Sequence, residues 1–117
     1  MALTVHLSAM LCVAMIAVGQ VLFKSLALNL NRSAELFDAS NILLAVSAAA
    51  LYGAATVLWI ALLRHAPLGR LYPYMALSFI FVGLMSWLFF NESLTAGYAA
   101  GLCLIVVGLV VITKSQP

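Results

Sequence analysis

An all-α membrane protein with four transmembrane helices is the fold class this sequence predicts, and three observations carry it. Hydrophobic residues make up 67% of the 117 residues. No soluble core needs that much apolar surface, so the solvent must be lipid. Charged residues make up only 7%, against the roughly 25% usual in soluble domains. The apolar residues fall into four runs, at about 2–30, 42–63, 71–90 and 95–113. Each is near the ~20 residues that carry an α-helix across some 30 Å of hydrocarbon. The whole of 1–117 reads as one transmembrane domain.

The totals also exclude. A net charge of +2 is too small to point to nucleic acid. Cys12 and Cys103 lie inside apolar runs and read as packing groups rather than a disulfide or a metal site. The N-terminus lacks the basic start of a secretory leader, and its apolar run is too long for one. No nucleophile–base pair and no cluster of metal ligands stands out, so neither catalysis nor a cofactor is expected.

In the first span, Lys24 interrupts an otherwise apolar run that continues through Leu30. Its Cα is expected about 9 Å short of the helix end. A charge at mid-membrane costs about 2.5–3.5 kcal/mol on insertion scales. Two readings stay open: snorkelling to headgroups, or holding a substrate's anionic group. Gln20, one helical turn earlier on the same face, supports the second. Ser8, Cys12, Met15 and Gly19 form a smoother neighbouring stripe, suited to packing.

The stretch 31–41 holds Arg32, Glu35 and Asp38 and reads as the one conventional loop, with Ser40 or Asn41 capping the next helix. The second span is rich in alanine and glycine, which lets neighbours approach closely. Its bulky exceptions are Tyr52, placed to face a cavity, and Trp59, placed as an interface anchor. Pro67 and Gly69 make a tight turn before the third span, and His65 beside them reads as a hydrated surface histidine.

The third span is the most polar and aromatic. Tyr72, Tyr74 and Ser78 crowd its start around Pro73, Arg70 precedes it and Glu92 follows it. These residues are expected to wall a polar pathway. Thr95 is placed to cap the fourth span, where Gly97, Gly101, Ile105 and Gly108 recur at spacings that keep one face open to another helix.

With four spans, the N-terminus, the turn at 64–70 and the C-terminus share one surface. That surface carries Arg64, Arg70 and Lys114, against Lys24 and Arg32 on the other. The excess of one positive charge puts both termini in the cytoplasm and leaves dual insertion open. Whatever the direction, Lys24 and Glu92 lie at the same level, as an ion pair or as two charges for the ends of a zwitterionic head group.

Pro67-x-Gly69-x-x-Tyr72, Ser86-Trp87-x-Phe89-Phe90 and Gly101-Leu-x-Leu-Ile-x-x-Gly108-x-Val110 resemble the small multidrug resistance branch of the drug/metabolite transporter superfamily. Two positions depart from the drug exporters of that branch. Ile16 stands where they carry a membrane-embedded glutamate, and Met75 where they carry a tryptophan. The sequence is more similar to the undecaprenyl-phosphate–aminoarabinose flippase subunits, at Gly19-Gln20 with Lys24, Leu58-Trp59 with Leu63, Tyr72-Pro73, Leu77-x-Phe79 and Glu92.

That resemblance implies a bacterial inner-membrane flippase subunit in lipopolysaccharide modification. It would move a polyprenyl-phosphate-linked amino sugar between leaflets, as a homodimer or with a similar small subunit. Gln20, Lys24, Arg70, Tyr72, Tyr74, Ser78 and Glu92 are the expected substrate contacts, and Gly97, Gly101, Ile105 and Gly108 the expected dimer contacts. The alternatives are an exporter of cationic drugs or polyamines, and a non-transporting protein whose fourth helix regulates a partner.

Overall fold

The computed structural model describes residues 3–33 and 38–115, so Glu35 lies outside the described residues. The described chain is helical throughout, apart from short connections. It runs α1 (Leu3–Ser33), α2 (Ala39–Leu63), α3 (Leu68–Leu71), a 3-10 turn (Tyr72–Ala76), α4 (Leu77–Phe90) and α5 (Ala96–Ser115). Among these residues four helical stretches are long and apolar enough to cross a membrane, the third running Leu68–Phe90.

Three local details differ from the sequence expectations. α1 continues to Ser33, which puts Lys24 about 13 Å from the helix end rather than 9 Å. The residue preceding α2 is Asp38, in extended conformation, rather than Ser40 or Asn41. Ser40 lies inside the first turn and donates its hydroxyl to Asp38 Oδ2 at 3.0 Å. The third span is not one α-helix. Pro73 has no N–H to give, and the chain passes through five residues of 3-10 helix before α4 begins. Thr95 does cap α5: its hydroxyl accepts from the Tyr98 backbone N–H at 3.1 Å.

The helices lie side by side in a slab of 52 × 37 × 17 Å, in the order α2, α1, α4, α5. The core sits between α1 and α2. On α2 the buried positions are Asn41, Ala48, Ala55 and Leu62. Their spacing of seven marks a seam along which the two antiparallel helices pack side by side. α1 meets it with Ala9 and Cys12, both fully buried. Such small side chains bring backbones close enough that the Cys12 thiol donates to the Ala55 carbonyl at 3.3 Å. Trp59 packs against this core as a partly buried side chain, an addition to its expected anchoring role.

Candidate functional site

The connection after α4 sets the site's geometry. Asn91 ends that helix in the left-handed region at φ 53°, a conformation asparagine tolerates better than most residues. The Ser86 carbonyl accepts from the Asn91 N–H and from the Glu92 N–H at 3.3 Å, closing the helix in the manner of a Schellman turn. The chain therefore doubles back, and the Glu92 side chain points at α4 and α1 instead of into solvent. One carboxylate oxygen accepts from the Ser86 hydroxyl. The other lies 3.5 Å from Lys24 Nζ.

The Ser86 hydrogen bond is the main cause that holds the Glu92 carboxyl below the ordinary carboxylate range. Desolvation opposes it, and the charge and hydrogen bond of Lys24 add smaller lowering contributions. Glu92 is therefore an anion at neutral pH. Both partners keep 47% of their side-chain surface exposed. A pair so placed is weak enough to exchange its partners for a ligand's charges.

Beneath the pair, between α1, α4 and the start of α5, is a cavity of about 300 Å³. Gln20, Lys24, Ser86, Glu92 and Tyr98 give it polar walls, and Val21, Val82 and Phe90 apolar ones. Gly83 makes room for Tyr98: a Cβ there would stand 2.7 Å from the Tyr98 hydroxyl oxygen. On the other side of Lys24 and Glu92, a wider basin of about 530 Å³ opens toward Asn29, Arg32 and Asn91. The two spaces share Lys24, Phe90 and Glu92 as walls.

The expected site residues thus divide between the two ends of the slab. Gln20, Lys24 and Glu92 come together. Arg70 and Tyr74 line a separate cavity of about 310 Å³ between the 3-10 turn, α4 and α5. Tyr72 is 62% exposed and lines none of these cavities. Nor does Ser78, whose hydroxyl donates to the Met75 carbonyl at 2.6 Å. Tyr52, expected to face a cavity, lies instead in the α1–α2 seam. Its ring covers Gly19 and stacks on Phe23 at 5.1 Å, and its hydroxyl accepts a hydrogen bond from the Gln20 amide.

Several residues of this architecture escaped the sequence reading. Ser86 stood in the sequence only as part of a resemblance motif and Tyr98 not at all; their places in the site depend on the Asn91 turn and the Gly83 notch. His6, hydrogen-bonded to the Tyr74 hydroxyl from α1, carried a signal of its own as a titratable group near the start of an apolar run. Lys114, which lines that cavity with Arg70, entered the sequence reading only as one of the charges on its surface.

The profile of the EamA-like transporter family matches residues 2–114. The chain is similar to the probable 4-amino-4-deoxy-L-arabinose-phosphoundecaprenol flippase subunit ArnE of Salmonella typhimurium, being 35% identical over 60 residues that cover 51% of this chain and 54% of that protein. The ArnE proteins of Salmonella paratyphi B and Salmonella newport match to the same extent. The chain spans about half the length of these curated relatives. No solved structure matches it.

Proposed function

Since the chain belongs to the EamA-like transporter family, and so is a multi-pass membrane transporter, we propose that it is a flippase subunit for a polyprenyl-phosphate-linked amino sugar. One observation carries this reading: a cation and an anion, Lys24 and Glu92, face each other at 3.5 Å on the wall of a cavity large enough for a sugar. At neutral pH such a lipid has an anionic phosphodiester and a cationic amine a few bonds apart. Lys24 would release Glu92 to take the phosphate, and Glu92 would take the amine. Gln20, Ser86 and Tyr98 would meet the sugar hydroxyls, which cannot enter hydrocarbon bare. Arg70, at the opposite end, would receive the phosphate after crossing, with Tyr72, Tyr74 and Ser78 bordering the route.

A slab four helices wide does not enclose a path, so the working unit in this reading is a dimer, with itself or with a similar subunit. Its contact face would be Gly97, Gly101, Ile105 and Gly108 of α5. The setting is a bacterial inner membrane with both termini cytoplasmic. Export of cationic drugs by proton exchange is less well supported. Ile16, where an exchanging carboxylate would stand, packs partly buried against the α1–α2 core, and Glu92 is held ionised.

The test is leaflet transfer of an amino-sugar prenyl phosphate in reconstituted vesicles. Lys24→Ala and Glu92→Ala should each slow transfer at least about 10-fold while self-association persists. Wild-type rates in both variants would overturn the reading.

A further inference from the structure

The cavity at the other end has a different chemistry. Arg70 reaches it from the last turn of α3 and Lys114 from the last turn of α5. No acidic side chain lines it among the described residues. Two cations from separate elements therefore line one space, where like charges repel and an anion between them is favoured. The rest of the wall is apolar, with Leu77, Leu109 and Val110 below the charges and the Tyr74 ring held in place by His6.

We propose that this cavity is a binding site for a lipid phosphomonoester, with Arg70 and Lys114 on the phosphate and the first carbons of the chain against Leu77, Leu109 and Val110. The charge count selects the ligand. A phosphomonoester carries about −1.5 to −2 near pH 7, matching two cations, whereas a phosphodiester carries one negative charge and an amino-sugar diester none net. The guanidinium supplies forked donors for phosphate oxygens, and the ammonium a point charge. The apolar wall accounts for a lipid rather than free phosphate. The two ends of the chain would then favour different forms of one lipid class. Lys24 and Glu92 would favour the zwitterionic loaded form. Arg70 with Lys114, where the loaded form's single phosphate charge is held only in passing, would favour the dianionic form without its sugar. Only the choice of a lipid as the class rests on the flippase reading.

Dodecyl phosphate is the probe, with binding to the full chain measured by native mass spectrometry or by thermal shift. Arg70→Gln and Lys114→Gln should each weaken it about 10-fold or more, and inorganic phosphate should bind wild type at least about 10-fold more weakly. Leu77→Trp, which fills the apolar wall and keeps both cations, should weaken it comparably. Lys24→Gln and Glu92→Gln should leave it within about 2-fold. Wild-type affinity in the Arg70, Lys114 or Leu77 variants would overturn the proposal. So would inorganic phosphate binding as tightly as the lipid, or an equal loss in Lys24→Gln. Because the Lys24 and Glu92 variants test transfer and these test dodecyl phosphate, either reading can fail alone.

Discussion

α1 and α5 are both apolar enough to span a membrane, yet the chain uses them in opposite ways. α1 is closed against α2 along a stripe of small side chains, with Ala9 and Cys12 fully buried in the shared core. α5 buries none of its described residues, and a Cβ added at Gly101 or Gly108 would meet nothing within 4 Å. Hydropathy therefore does not decide which helix is packed. In lipid no hydrophobic force pulls helices together, so contact depends on surfaces that fit. The seam has its fit within the chain: Gly19 receives the Tyr52 ring, and Cys12 reaches the Ala55 carbonyl. α5 carries the same kind of small-residue stripe with nothing opposite it.

Valine at Gly19 is the sharpest way to break this contrast. Its Cβ would stand 2.4 Å from Tyr52 Cε2, and that ring is stacked on Phe23 and bonded to Gln20, so it has little freedom to yield. Gly19→Val should cost about 1–3 kcal/mol in unfolding measurements. Gly108→Leu should leave stability within about 0.5 kcal/mol and reduce self-association in crosslinking. Equal destabilisation by both would remove the distinction between the helices.

A smaller effect belongs to the bridge between the two regions, the Lys24–Glu92 pair. Glu92 titrates lower in the folded chain than when free. Its contact is therefore complete above the ordinary carboxylate range and is lost as pH falls through the lowered value. Between about pH 6 and 8 Glu92 should stay ionised, and its contribution to transfer should be flat across that window. A steep change there that is absent from Glu92→Gln would mean that Glu92 titrates higher than its hydrogen bonds allow.

What the sequence disclosed follows the range of each interaction. Four apolar runs and two short turns place Lys24 and Glu92 at one surface, because antiparallel helices leave no other arrangement. Thr95 as a cap is local too, needing only the three residues that follow it. Pro73 signalled a break but not its form, since a 3-10 turn depends on how the following backbone is supported. The His6–Tyr74 bond spans 68 positions and depends on how α1 lies against the third span. Tyr52 could be placed at mid-helix but not turned toward α1, because that orientation depends on Gly19. That Arg70 stands at the other end from Lys24 and Glu92 was legible, because the turn at 64–70 falls at the opposite surface.

The central claim is that Lys24 and Glu92 together read the two charges of one head group. It is tested most directly by comparing leaflet transfer of an amino-sugar prenyl phosphate with that of its N-acetylated counterpart, in wild type and in Glu92→Gln. Wild type should favour the free amine by about 10-fold or more, the scale expected for one charge contact, and Glu92→Gln should abolish that preference. Equal rates for the two lipids in wild type, or a preference that survives in Glu92→Gln, would contradict the account.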